Sequence, residues 1–384
     1  MLIKHAMIHD AIHEEAYQGD ILVKDGKIVK IGKRISAPEE TEVIEAKGLS
    51  AYPGFVSAHS HVGLDDFGGP GGAQHDYNES SNPCTPEVRG MDSYYSFDRA
   101  IDDARAAGVT TICTGPGSSN VIGGTFLAIK TYGDSVEETV VVPQVAMKVA
   151  FGENVKKCFG GNGVKTRMMI AAKLREMLFK TREYLQNKEL AKDDPKKMPK
   201  FDMKLEAMIP VIKGEMPLKA HCHRTDDICT AIRIAKEFNL KMTLDHCTEG
   251  YLIKDIVAAS GFPCAVGPNM SNAGKKETVN RIWENAKTLD EAGALVAIIT
   301  DAPVTPEQYL RDCAGKCAKA GMNPFKALQG ITINAAKLVG IADRVGSLEV
   351  GKDADIVLTN GDPLVSTTDV LKVIIDGKLI EDHE

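Results

Sequence analysis

The sequence predicts an α/β barrel beside a small β domain that both chain ends build, and three observations predict it. Short apolar strands alternate with helical stretches through the middle of the chain, the first and last segments carry strand texture alone, and metal-competent side chains recur where apolar runs end. At 384 residues the chain has the length for one large barrel-like domain, or for a large domain plus a small one.

Residues 1–51 read as short strands separated by turns: MLIKHAMIHD, then GDILVKDGKIVKIGK with a hairpin signal at Asp25-Gly26, then TEVIEAKGLSAYPG. Over 52–345, from Gly54 onward, the texture becomes strand-helix units: GFVSAHSHV, DRAIDDARAAGVTTICTG, ETVVVPQVAMKVAFGEN, DDICTAIRIAKEFNLKMTLDHC, LIKDIVAASGFPCAVGP and LDEAGALVAIITDAP. Such units build a parallel barrel. Residues 346–384 return to strand texture in GSLEVGKDADIVLTNGDPL and VLKVIIDGKLIED, so they are expected to join 1–51 in one small domain. The alternation breaks over about 154–214, where KTRMMIAAKLREMLFKTREYLQNKELAKDD is helical and no strand precedes Leu218. That insertion either packs on the barrel or forms a lid, with Lys165 and Arg167 near its helix start reaching an anionic substrate group.

A hydrophobic fraction of 43%, one Trp and 26% charged residues are ordinary for a soluble globular enzyme. A net charge of -7 with a pI near 5.9 provides no basic field for nucleic acid or an anionic membrane. No apolar run approaches the roughly 20 residues of a transmembrane helix, and the N-terminus lacks a signal peptide's apolar region and cleavage site, so the cytoplasm is the expected compartment. The nine cysteines are scattered, without a C-x-x-C pair, and read as reduced thiols. Cys222 and Cys247 adjoin histidines, but strand alternation turns Cys222 away from His221 and His223, which favours buried filler over a metal ligand.

Five strand ends collect metal-competent side chains: His59 and His61, Glu153, His221 and His223, His246, and Asp301. In an α/β barrel the C-terminal ends of the strands form the face on which active sites are built. Phe55, Ser57, His59 and His61 share one strand face by the two-residue period, so both imidazoles are expected to point into the barrel mouth, with Ser60 facing outward. Taken alone, His246 would more often be a hydrogen-bonded core residue, and Asp301 a helix cap. Their recurrence at strand ends is what makes a shared site. Imidazoles and carboxylates together suit zinc and other divalent first-row ions. His5, His9, His13, His75 and His383 lack this context and read as surface or structural residues.

The order PGFVSAHSHVG, KAHCHR, LDHC, ITDAP and GSLEVGKDADIVL resembles the amidohydrolase superfamily over essentially the whole chain, and KVAFGEN with KAHCHRTDDI resembles its imidazolonepropionase-related metal-dependent hydrolases. The resemblance implies a distorted (β/α)8 TIM barrel with a flanking β-sandwich. It implies that His59 and His61 hold the more buried ion with Asp301, which also serves as general base, and that His221 and His246 are the fifth- and sixth-strand ligands. His223 shares a face with His221 and is either the ligand in its place or a substrate contact. Many two-metal members bridge their ions with a carboxylated lysine on the fourth strand, whereas some use a glutamate on the third. Glu153, ending what reads as strand three, is taken as that ligand, with Lys148 as the alternative. One or two divalent ions, zinc foremost, follow from this pattern.

The implied reaction is hydrolysis of a C–N bond in an amide, cyclic amide or peptide-like substrate by a metal-activated water, with Asp301 as base and His223 aiding the oxyanion. The loops DDFGGPGGAQHDYNE and GPNMSNAGKKE and the KTRM segment are the expected specificity elements. Lys165, Arg167, Lys275 and Lys276 would meet a substrate carboxylate, with Lys275 and Lys276 reading at least as well as solvated surface charge. GPGSSN and NVIGG open no helical G-x-G-x-x-G, which argues against a nucleotide site. A deaminase acting on an amino-heterocycle is the alternative, disfavoured by the absence of HxxE after His221. A non-catalytic scaffold is disfavoured because every expected ligand is present. The partner is then a small molecule, with neither nucleic acid nor membrane, and a homo-oligomer is the family tendency.

Overall fold

Two eight-stranded sheets organise the chain in the computed structural model, which describes residues 1–65 and 75–381, Pro195 by its backbone alone. The first sheet takes β1 (Leu2–Ile8), β2 (Tyr17–Lys24), β3 (Lys27–Gly32), β4 (Val43–Glu45) and β5 (Ser50–Pro53) from the start of the chain. The second takes β6 (Phe55–Ser60), β7 (Val109–Thr114), β8 (Ile122–Lys130), β9 (Val140–Ala150), β10 (Leu218–Cys222), β11 (Met242–His246), β12 (Cys264–Val266) and β13 (Val296–Ile298). β14 (Ile356–Thr359), β15 (Val370–Ile375) and β16 (Lys378–Ile380) return to the first.

In the terminal sheet β5 pairs antiparallel with β14, Tyr52 opposite Val357, which joins the two ends of the chain. β1 carries β4 along Leu2–Lys4 and β5 along Met7–Ile8, and the change of partner falls where its register with β2 shifts and His5 adopts φ 60°. Ile3, Ile8, Ile21, Ile28, Ile356 and Ile374 are buried together behind this sheet. The β2–β3 hairpin turns on Asp25 and Gly26, both at positive φ (50° and 75°), as an Asp-Gly hairpin requires.

The second sheet runs in the order β13-β12-β11-β10-β9-β8-β7-β6, and the His61 N–H, just past β6, donates to Ala302 O, just past β13, at 3.0 Å. The strand ends that carry His61 and Asp301 are thereby tied together. Every residue of β6, β7, β8, β10 and β11 is buried, as expected for strands covered on both faces.

β8 departs from the expected alternation. It lies antiparallel to both β7 and β9, and its segment, which opens on Gly123 and Gly124, is missing from the strand-helix units read in the sequence. Gly124 stands at φ 107°, where an added Cβ would meet Val88 O at 2.2 Å, so only glycine fits. The consequence is a change in the strand count: β9 is the fourth strand of the barrel rather than the third.

Between β9 and β10 lie helices Glu153–Phe159, Arg167–Leu190 and Met203–Ile212. Thr166 caps the long helix by accepting the Met169 N–H, and Ile170, Leu174 and Leu178 line its buried stripe at four-residue spacing. It packs on helix Thr225–Phe238 through Phe179 against Phe238, rings 4.8 Å apart, and through Arg175 to Glu237 at 2.8 Å. No helix among the described residues is long and apolar enough to cross a membrane.

Candidate metal centre

The strand ends converge. His221, His223 and His246 form one group of candidate metal donors, and His59, His246 and Asp301 a second; within each, the donor atoms lie within 4.8 Å of one another. Asp301 Oδ1 stands 3.3 Å from both His59 Nε2 and His61 Nε2, which brings His61 to the same carboxylate. His59 and His61 both face the mouth as expected, but Ser57 does not share their face: the register of β6 shifts between Ser57 and Ser60, and both serines lie against Glu307. His246 breaks the alternation: its register partner Cys222 faces outward, but a left-handed φ of 69° at His246 turns its imidazole into the mouth. Asp301 is held in the same region, at φ 52°. Such conformations are uncommon for residues other than glycine and cluster at working sites.

The imidazoles are oriented from behind. The Nδ1 atoms of His59, His61, His223 and His246 reach, in turn, Asp245 Oδ2 at 2.5 Å, Gly115 O at 2.7 Å, Thr248 Oγ1 at 2.7 Å and Gly267 O at 2.8 Å. This leaves the Nε2 atoms to face the mouth, and those of His221, His223 and His246 are buried with no hydrogen-bond partner among the described residues. Buried polar atoms are seldom left so, and their convergence beside Asp301 fits a place for a divalent ion and its substrate. Burial holds His221 and His223 well below the usual imidazole range, with neighbouring imidazoles and Lys275 adding to the effect, and pushes His246 down to about 3. Neutral imidazole is the form that binds metal. Burial opposes ionisation of Asp301, yet His246, His59 and His61 hold its carboxyl well below the usual range.

Two buried lysines accompany the histidines. Lys148 Nζ lies 3.2 Å from His59 Nε2, and burial pushes its pKa down to about 8 against the attraction of Asp245 and Asp301. Lys219, register partner of Lys148, pairs with Asp245 at 3.0 Å and donates to Ala58 O at 2.7 Å. Both ammonium groups stand near the Phe126 ring, at 5.2 and 5.4 Å from its centroid. Asp245 also accepts the Thr243 hydroxyl at 2.8 Å. Sequence reasoning missed Lys219 and Asp245. The signal was there: Lys219, His221 and His223 share a strand face, and Asp245 pairs with His221 across the strands.

Other expected residues lie elsewhere. β9 ends at Ala150, the chain turns at Gly152 (φ 92°), and Glu153 opens the next helix, half-buried, with its N–H on Glu277 Oε2 at 2.8 Å. It enters neither donor group; the inward-facing residue of that strand is Lys148. Arg167 is engaged by Asp227 at 2.8 Å and Glu277 at 3.2 Å, which fastens the start of the long helix. Lys165 and Lys276 are exposed. Ser60 faces away from the mouth but not to solvent: it is buried, accepts the Val62 N–H at 3.2 Å and adjoins the buried Glu307. His5, His13 and His75 meet Glu45, Asp10 and Asp65, and His9 stacks on Tyr52, all apart from the donor groups. Residues 66–74 of the glycine-rich loop, and His383, lie outside the described residues.

A cavity of about 520 Å³ opens over the donors, lined by His61, His221 and Asp301 together with Tyr77, Ser118, Lys157 and Lys275. Tyr77 stacks on the His61 ring at 5.0 Å. Gly117 lets this wall form, since its N–H donates to Tyr77 O at 2.6 Å and a Cβ there would meet Asn78 Oδ1 at 2.4 Å.

Comparison with known proteins places these features in a family context. The model of the Amidohydrolase family matches residues 50–380. An amidohydrolase from Thermotoga maritima MSB8 superposes with a TM-score of 0.95 and 36% identity, each chain covered to 100%. The amidohydrolase tasK of Hapsidospora irregularis is 28% identical over 94% of this chain, which spans 39% of that relative's length. The imidazolonepropionase of Symbiobacterium thermophilum is 22% identical, with 88% of this chain and 83% of the relative covered.

Proposed function

This chain belongs to the amidohydrolase family, and from that premise we propose that it is a metal-dependent hydrolase of a C–N bond in an amide, cyclic amide or peptide-like substrate. The observation that carries the reading is the set of buried Nε2 atoms of His221, His223 and His246 that face one point without partners, next to His59, His61 and Asp301.

The proposed ligands are His59, His61, His221, His246 and Asp301, with Lys148, carboxylated on Nζ, in place of Glu153. Zinc is the ion proposed, since imidazole and carboxylate donors suit it. A divalent ion held there supplies Lewis acidity toward water and toward the scissile carbonyl. Asp301, ionised at neutral pH, accepts the proton of the attacking water and returns it to the departing nitrogen. His223, with Nδ1 accepting the Thr248 hydroxyl proton, keeps its own proton on Nε2 and presents that N–H to the carbonyl oxygen as the oxygen gains charge. Asp245, Gly115 O and Gly267 O keep the imidazoles of His59, His61 and His246 in the tautomer that leaves Nε2 to the site. The nine free thiols support a reducing compartment, and cytoplasmic residence is part of the proposal.

Metal analysis of the purified protein, with a hydrolysis screen over N-acyl amino acids, dipeptides and cyclic amides, tests the reading. A protein that neither retains a divalent ion nor gains activity from one would sink it. Asp301→Asn is expected to keep the fold and much of the metal and to lose turnover by at least about a hundredfold, the scale of general acid–base catalysis. Retained turnover removes Asp301 from that role.

A further inference from the structure

Asp301 apart, the charged groups lining the 520 Å³ cavity are Lys157 and Lys275. Lys275 is half-buried in the wall and Lys157 exposed at the rim, and among the described residues neither side chain makes a hydrogen bond or an ion pair. Of the nearby carboxylates, Asp227 and Glu277 hold Arg167 and Asp226 holds Arg224 at 2.9 Å, while Glu153 and Asp301 lie close enough to act on Lys275 without forming an ion pair with it. Burial lowers the Lys275 pKa, with Glu277, Asp301 and Glu153 opposing. An ammonium drawn partly out of water without a fixed counterion is costly, and an entering anion relieves that cost. The Ser118 hydroxyl lines the same wall, held by Asn154 Nδ2 at 2.7 Å, and offers a neutral hydrogen-bond partner beside the amines.

We propose that Lys275, with Lys157 at the rim, binds a carboxylate of the substrate while the scissile amide lies against the metal centre, so that the substrates are small carboxylate-bearing amides or cyclic amides. This inference rests on the hydrolase reading above for which end of the substrate reacts. The carboxylate site itself rests on the cavity and its two amines.

The test compares glutaramate with its neutral analogue glutaramide, of nearly the same size, by calorimetric titration of the metal-loaded protein. Wild type is expected to bind glutaramate about tenfold tighter or more, the scale of a charge-assisted hydrogen bond in a partly desolvated site. In Lys275→Met the preference is expected to fall to within about threefold at unchanged metal content, and in Lys157→Met to fall part of the way. Lys275→Gln serves the same comparison should the methionine variant fold poorly. Equal affinity for the two probes in wild type, binding of neither, or a preference that survives in both lysine variants overturns the proposal. Tighter binding of 3-phosphonopropionamide than of glutaramate, by about tenfold, assigns the site to a phosphoryl group and overturns the carboxylate. Metal content and turnover are read separately. A protein without metal that keeps the glutaramate preference retains this site and loses the hydrolase reading.

Discussion

Lys219→Met is the substitution that most directly probes the support of the candidate metal centre. The ammonium is 1% exposed and Asp245 is fully buried, so the pair at 3.0 Å has no water to replace either partner. Methionine keeps the length of the side chain and removes its charge. Asp245 then retains only His59 Nδ1 at 2.5 Å and the Thr243 hydroxyl at 2.8 Å. Breaking one side of a buried ion pair costs about 3–5 kcal/mol. His59 offsets part of that by taking up a proton, which spoils it as a metal donor. Urea unfolding at neutral pH should therefore show a loss of a few kcal/mol, and metal affinity should fall by about 10- to 100-fold. The double variant Lys219→Met/Asp245→Asn is expected to be more stable than the sum of the single losses by at least about 2 kcal/mol, since neither charge is then left alone. A single-variant loss under about 1 kcal/mol, or additivity within about 0.5 kcal/mol, refutes the argument.

Two further outcomes separate alternatives at the site. Lys148→Met is expected to lose bound metal and to regain part of it in acetate, which replaces the missing carboxylate, whereas Glu153→Gln keeps its metal; the reverse pattern in metal analysis returns the ligand role to Glu153. Burial raises the Glu307 pKa to about 7, against the hydrogen bond from Thr300 at 2.8 Å and the nearby hydroxyls of Ser60 and Ser57. Between pH 4.5 and about 7 the folded protein thus keeps a proton that the unfolded chain has released, and stability falls as pH rises through that window, by up to about 3 kcal/mol. Glu307→Gln removes this contribution and should be more stable than wild type above pH 7. Parallel stability–pH curves for the two proteins would show that Glu307 is ionised throughout.

Much of the site was legible because its donors end apolar strands. His59, His61, His221, His223, His246 and Asp301 were all named from that position, and the structure gathers them. What misled was topology. Without β8 the strand count fell one short, so Glu153 read as ending the third strand, whereas it opens the helix after the fourth and Lys148 is the residue of that strand beside His59. Arg167 read as a free cation because its partners lie 60 and 110 residues further along the chain, beyond any local pattern. Lys219 and Asp245 stayed hidden for a related reason. A charge inside a strand has no visible counterpart until register places the two side chains together, here across β10 and β11.

The reversed direction of β8 has a bearing on how this protein can be redesigned. In a parallel barrel strand, the loop that follows the strand reaches the working face and the loop that precedes it sits on the opposite, stabilising face. β8 inverts that assignment: Ile122 at its start pairs with Val149 near the end of β9, so the preceding segment, with Ser118 and Ser119, meets the cavity. Diversity aimed at new substrates therefore belongs in 115–121. Residues 131–135, after the strand, are the place for inserted tags or grafted sequence that must leave catalysis alone.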